Sequence, residues 1–134
     1  MMQNLGCVLL IDDNEADNFF HQLVIEGTGF HGKLVVHEHA TEALSYLQNL
    51  QQTEYVRPDI IFLDINMPGM NGWDFLHAYE QLPAEQKGRI VVVLLSTTLT
   101  QADREKVAHL PSIDAFCQKP LQEADLKELV EKYC

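Results

Sequence analysis

Asp59-Ile-Ile-Phe-Leu-Asp64-Ile-Asn66-Met-Pro68-Gly69-Met-Asn71-Gly72 is an apolar run that stops at a carboxylate and then breaks into a turn. Ile60 to Leu63 is unbroken and β-favouring, the pattern of a strand covered on both faces in a parallel sheet. That places Asp64 at the strand's C-terminal end, the edge of an open α/β sheet where crossover connections diverge and ligands bind. Met67-Pro68-Gly69 forces the turn, and Asn71 is the expected N-cap of the helix that follows, with Asp74 three residues on.

The same device recurs outward from this stretch. Cys7 to Ile11 is a second apolar strand, closed by Asp12, Asp13 and Asn14. Ile90 to Leu95 is the most β-prone run and ends at Ser96-Thr97-Thr98, and Ile113 to Cys117 leads into Gln118-Lys119-Pro120. Leu34 to Val36 supplies one more short strand. Between the strands lie helical periodicities. Ala16, Phe19, Phe20, Leu23, Val24 and Gly27 predict an amphipathic helix over roughly 15–27, ending near Gly27 and Gly29. Ala40, Ala43, Leu44 and Leu47 mark a second helix, and the polar stretch from Gln48 to Pro58 reads as a loop. Phe75, Leu76 and Tyr79 line a third helix that stops before Pro83. Gln101 to His109 reads as a fourth, with only Ala102, Val107 and Leu110 to bury and so the least firmly held. Leu126, Leu129, Val130 and Tyr133 give the last helix its stripe.

Five strands alternating with five helices predict a doubly wound parallel sheet in the order 2-1-3-4-5, flavodoxin-like, with helices on both faces and right-handed crossovers. The 134 residues, 46% of them hydrophobic, predict one domain spanning 1–134. A formal net charge of −11 argues against contact with nucleic acid or an anionic membrane, so a partner is expected to be a protein. Cys7, Cys117 and Cys134 form no CxxC pair, and no apolar run reaches the roughly 18 residues of a membrane helix, which together predict a cytoplasmic chain. The six histidines form no metal-ligand pattern.

Four of the five strands thus deliver polar groups to one edge: Asp12 and Asp13, Asp64, Ser96, and Lys119. Crowded carboxylates repel one another unless a cation is present, and hard oxygen donors suit Mg²⁺. A carboxylate left free to attack phosphorus would form an aspartyl phosphate, with Lys119 and Ser96 placed to stabilise the phosphoryl oxygens.

On these motifs, in this order and at these strand ends, the chain resembles response-regulator receiver domains, the phosphoacceptor half of bacterial two-component signalling. The resemblance covers essentially the whole chain. It implies that Asp64 is phosphorylated by a histidine kinase or a histidine phosphotransfer protein. It also implies that Asp13 and Asp64 bind Mg²⁺ directly, that Asp12 helps through water, and that the Asn66 backbone carbonyl completes the metal site. Ser96 becomes the switch hydroxyl, Thr97 the neighbour beside the phosphate, Phe116 the switch aromatic, and Lys119 the lysine of the site, with a cis bond to Pro120. Ser96 stands where Thr is more usual and Thr97 where Ala is frequent, which implies a looser switch and slower access to Asp64. Trp73 is expected partly exposed near the site. A phosphatase of the haloacid-dehalogenase type needs a second Asp where Asn66 stands, as well as a cap domain. A binding module that has lost phosphorylation is argued against by the intact Asp, Ser and Lys set. The chain ends at Cys134, so output is expected by protein contact, to an effector or a second copy of itself, through the fourth helix, fifth strand and last helix. Beyond its own phosphorylation and dephosphorylation it is not expected to be an enzyme.

Overall fold

The computed structural model describes residues 2–65, 72–97 and 100–134. The elements are β1 (Cys7–Ile11), α1 (Glu15–Gly27), β2 (Lys33–His37), α2 (Ala40–Gln48), β3 (Ile60–Asp64), α3 (Gly72–Glu80), β4 (Val91–Ser96), α4 (Gln101–Val107), β5 (Ala115–Gln118) and α5 (Glu123–Tyr133). All strand pairs are parallel, and the sheet order is β2-β1-β3-β4-β5, as expected from the sequence. Asn66 and the Asn71 cap lie outside the described residues.

β1, β3 and β4 are buried along their whole length, and the two-residue period of a strand splits their side chains between two cores. Leu9, Ile11, Ile61, Leu63, Val92 and Leu94 face α2 and α3, with Val107 of α4 joining them. Val8, Leu10, Ile60, Phe62, Val93 and Leu95 face α1 and α5, against Ile25, Leu126, Leu129 and Val130. A continuous apolar run is what such double coverage requires.

One expectation is corrected. Of the stripe Ala16, Phe19, Phe20, Leu23, Val24 and Gly27 expected for the apolar face of α1, Val24 is half-buried against the core, but the large residues point outward: Phe19 is 65% exposed, Phe20 44% and Leu23 53%. The buried residues of α1 are Asn18, His21 and Ile25, at the i, i+3, i+7 spacing of a single face. That face lies between the end of β1, where the Asp12 carbonyl accepts from Asn18, and the segment leading into α5, where Leu121 N–H donates to His21, so burial follows hydrogen-bonding as well as apolarity. The end of α1 matches expectation, with Thr28 as C-cap and Gly29 at φ 92°, a conformation glycine adopts without strain.

α4 ends at Val107, the one residue it buries; Ala102, also expected inside, is exposed, and Leu110 is half-buried beyond the helix. Its start carries a capping box: the Thr100 hydroxyl accepts from Asp103 N–H at 3.1 Å, and the Asp103 carboxylate accepts from Thr100 N–H at 3.3 Å. Two cations of α4 lie over aromatic rings of neighbouring elements, Lys106 over half-buried Trp73 at 5.0 Å and Arg104 over Phe116 at 5.8 Å.

At the N-terminal edge of the sheet, buried Asp59 joins three segments. Its Oδ2 accepts from Gly6 N–H at 2.7 Å and its Oδ1 from Arg89 Nε at 2.5 Å. The opposite edge carries the functional groups.

Candidate functional site

Strand register brings those groups level. Ile11 pairs with Leu63, so Asp12 follows β1 opposite Asp64. Asp64 pairs with Leu95, and Ser96 comes next; Ser96 pairs with Gln118, and Lys119 comes next. Backbone hydrogen bonds extend the pairing past the strand ends, from Asp12 N–H to His37 O at 3.1 Å and from Lys119 N–H to Ser96 O at 2.8 Å. The Lys119–Pro120 peptide bond is cis, as the sequence reading expected.

Carboxylate oxygens of Asp12, Asp13 and Asp64 lie within 4.8 Å of one another, with Asp12 and Asp64 buried and Asp13 exposed. Three hard oxygen donors at this spacing, one of them open to solvent, fit a divalent cation that keeps part of its water shell. The one cationic side chain recorded among these carboxylates within the described residues is Lys119, 12% exposed. Its Nζ lies 2.7 Å from Asp12 Oδ2, 3.0 Å from Asp17 Oδ2 and 3.4 Å from Asp64 Oδ2. Asp12 also accepts from Asn14 N–H at 2.9 Å, and its carbonyl accepts from Asn18 Nδ2 at 2.8 Å.

Burial pushes the Asp12 carboxyl up to about 6, against the opposing hydrogen bonds from Lys119 and Asn14. Burial would push Lys119 down, but hydrogen bonds to Asp12 and Asp17 outweigh it and hold the ammonium charged. With the two atoms 2.7 Å apart, the ion pair is the state at neutral pH. Ser96 is fully buried and Thr97 exposed, while Phe116 is half-buried against the core under α2 and α3.

The roles of four residues at the site escaped sequence reasoning. Asp17 and the buried pair Asn18 and His21 form a polar stripe on α1 that was visible as spacing but overshadowed by the aromatic one. Gly72 is the fourth. A Cβ there would stand 2.3 Å from Ile65 Cα and 3.0 Å from Asp64 O, so α3 starts in direct contact with the strand end that carries Asp64.

His21 leads to a pH dependence. Its Nε2 accepts from Leu121 N–H at 3.2 Å, which makes it a neutral imidazole with its proton on Nδ1. Burial lowers its pKa below the ordinary 6.5, with the Lys119 charge acting in the same direction and Asp17 and Asp64 opposing. The unfolded chain therefore binds a proton that the folded chain refuses. His21 contributes fully above the unfolded value, and its contribution is lost as pH falls below about 6.5. Asp12, raised, has the opposite slope at lower pH, so the comparison must isolate His21. His21→Gln keeps an acceptor and removes the titration. The stability of the native chain relative to this variant is expected to fall between pH 7 and pH 5, by at most about 1.4 kcal/mol per pH unit. Urea unfolding at a series of pH values measures it, and a pH-independent difference contradicts it.

The sequence model of the response regulator receiver domain matches residues 8–131, a span that starts one residue into β1 and includes the other four strands. The chain belongs to that family. It is a receiver domain of two-component signalling, with the fold of signalling proteins rather than of a classical enzyme family. A solved two-component response regulator from Cytophaga hutchinsonii superposes with a TM-score of 0.84 at 32% identity, covering 96% of both chains. Response regulator Rcp1 of Synechocystis is 33% identical over 99 residues, 72% of this chain and 65% of that protein. The probable methanogenesis regulatory protein FilR2 of Methanothrix harundinacea is 28% identical over 93% of this chain and 79% of its own length. Receiver domains bind Mg²⁺ at an acidic cluster, and the Asp12, Asp13 and Asp64 group is such a cluster. No helix among the described residues is long and apolar enough to cross a membrane.

Proposed function

We propose that Asp64 is the phosphoacceptor and that Lys119, Ser96 and Asp13 serve its reaction. The observation that supports this reading most is Lys119 Nζ, held between Asp12 and Asp64 at the strand edge where a buried carboxylate faces an acidic cluster. An Asp64 oxygen attacks phosphorus, the phosphorus–nitrogen bond of a phosphohistidine breaks, and the imidazole leaves with the electron pair. Lys119 donates to the phosphoryl oxygens as their charge redistributes, and the Ser96 hydroxyl closes on one of them after transfer. Asp13 and Asp64 would hold Mg²⁺ directly and Asp12 through water, as the resemblance implies, with the carbonyl of Asn66, outside the described residues, as the further ligand. The ion supplies positive charge for the phosphoryl oxygens.

Phosphorylation turns the Asp64 carboxylate, already one negative charge, into an acyl phosphate of roughly −1.5 to −2, so the sheet edge gains about −0.5 to −1 and the phosphoryl acceptor oxygens. Drawing Ser96 toward it frees room for Phe116 to turn, with Thr97 beside the phosphate, and Arg104 over the Phe116 ring couples that turn to α4. The responding face is α4, β5 and α5, bearing Arg104, Lys106, Phe116, Gln118, Glu123 and Lys127. It meets an effector or a second copy of this chain, while a histidine kinase or phosphotransfer protein supplies the phosphoryl group. The setting is the cytoplasm, and the 134 residues act as a single receiver unit.

Incubation with acetyl phosphate and Mg²⁺ should add one phosphoryl group to the native chain by intact mass. Asp64→Asn, which keeps shape and removes the nucleophile, should take up none. Equal modification of both chains overturns the assignment.

A further inference from the structure

An ammonium has three N–H bonds to give, and Lys119 has three carboxylates around it. The contacts to Asp12 and Asp17, at 2.7 and 3.0 Å, are hydrogen bonds, whereas Asp64 at 3.4 Å is an ion pair with room left in it. Asp17 is the outlier of the three. It belongs to α1 rather than to a strand end, and stands apart from the Asp12, Asp13 and Asp64 cluster. Its position is fixed from below, because Asp17 N–H donates to the Asn14 cap at 2.9 Å. One turn along α1, His21 accepts from Leu121 N–H. The segment carrying Lys119 is therefore tied to α1 on both sides of Pro120, by the Lys119 side chain and by the Leu121 backbone.

We propose that Asp17 is a positioning residue for phosphoryl transfer: with Asp12 it occupies two of the Lys119 N–H bonds and so aims the third at Asp64. A lysine on its flexible four-carbon stem is otherwise a poorly directed charge. Asp17 is 40% exposed, so its ion pair adds little to folding stability, and its effect is on the geometry of the reaction. This rests on Asp64 being the phosphoacceptor.

The test measures phosphorylation by acetyl phosphate with Mg²⁺, together with the ammonium ¹⁵N signal of Lys119 in ¹⁵N-lysine-labelled protein. In Asp17→Ala the rate at saturating donor should fall about three- to tenfold, and the ammonium signal should broaden as its protons exchange faster. Asp17→Asn still offers an oxygen to Lys119 and should recover most of the rate. In a Lys119→Ala background, Asp17→Ala should change nothing further. A native rate in Asp17→Ala, or a loss that persists undiminished without Lys119, overturns the proposal. Should the native chain take no phosphate on Asp64, the phosphoacceptor reading fails. The ammonium signal then decides alone, and one left unchanged by Asp17→Ala overturns the positioning role.

Discussion

Lys119→Ala is expected to lose about 3–5 kcal/mol of stability in metal-free buffer near pH 7, the usual cost of removing one partner from a buried ion pair. The substitution strips Asp12 Oδ2 of its donor and leaves Asn14 N–H on the other oxygen. It also leaves carboxylate oxygens of Asp12, Asp13 and Asp64 within 4.8 Å of one another without the ammonium that now sits among them. The same charges that destabilise the variant should make it a better cation site, because Lys119 no longer competes for Asp12 and Asp64. Mg²⁺ should therefore raise the melting temperature of Lys119→Ala by more than it raises that of the native chain, following linkage to the folded state. Phosphorylation should slow by about 100-fold or more, the scale seen when a charge-stabilising donor is removed. Lys119→Arg should not restore it, since a planar fork cannot serve three carboxylates around one nitrogen. Denaturant unfolding with and without Mg²⁺ separates the effects. An unchanged midpoint in chelator, or a smaller metal response than the native chain shows, contradicts this account of the charge balance.

Most of what positions Lys119 was legible in the sequence, because a parallel sheet converts order along the chain into place along an edge. Ile60 to Leu63, Cys7 to Ile11 and Ile90 to Leu95 announce buried strands by unbroken apolarity, and the first polar residue after each marks the C-terminal edge. Strand limits differ by a residue or two, as at β4, which runs Val91–Ser96 rather than Ile90 to Leu95. Less legible were groups whose partners are far away in sequence. Asp59 reads as the polar start of a strand, yet it is buried by bonds to Gly6 and Arg89, 53 and 30 residues distant. Asp17 reads as a solvated first-turn acid until the fold brings Lys119 to it. The inner face of α1 was misassigned because periodicity chooses the more apolar stripe. Phe19, Phe20 and Leu23 outweigh Asn18, His21 and Ile25 in hydropathy, but only the latter meet the Asp12 carbonyl and Leu121 N–H.

Gly72→Ala sets two effects of opposite sign against each other, and their sizes decide the outcome. α3 begins at Gly72, and in an ordinary helix position alanine would be favoured over glycine by about 1 kcal/mol. Here a Cβ would meet Ile65 Cα at 2.3 Å and the carbonyl oxygen of Asp64 at 3.0 Å. Both obstacles are backbone, so no rotamer change relieves them, and either α3 or the end of β3 must move. Overpacking of this kind costs typically about 1–3 kcal/mol and at times more. With the nearest contact well inside any real Cβ distance, the upper part of that range should apply, and Gly72→Ala should lose about 2 kcal/mol or more net of the helix gain. The displacement falls on the residues that carry the Asp64 carboxylate. Phosphorylation by acetyl phosphate should therefore slow by at least about tenfold even where the variant remains folded. Urea unfolding gives the first quantity, and intact mass followed over time at a temperature well below the transition gives the second. A variant that gains stability would show that α3 is free to draw back from Ile65. One that loses stability but phosphorylates at the native rate would show that the strain is taken up by the helix, with Asp64 held in place by β1 and β4.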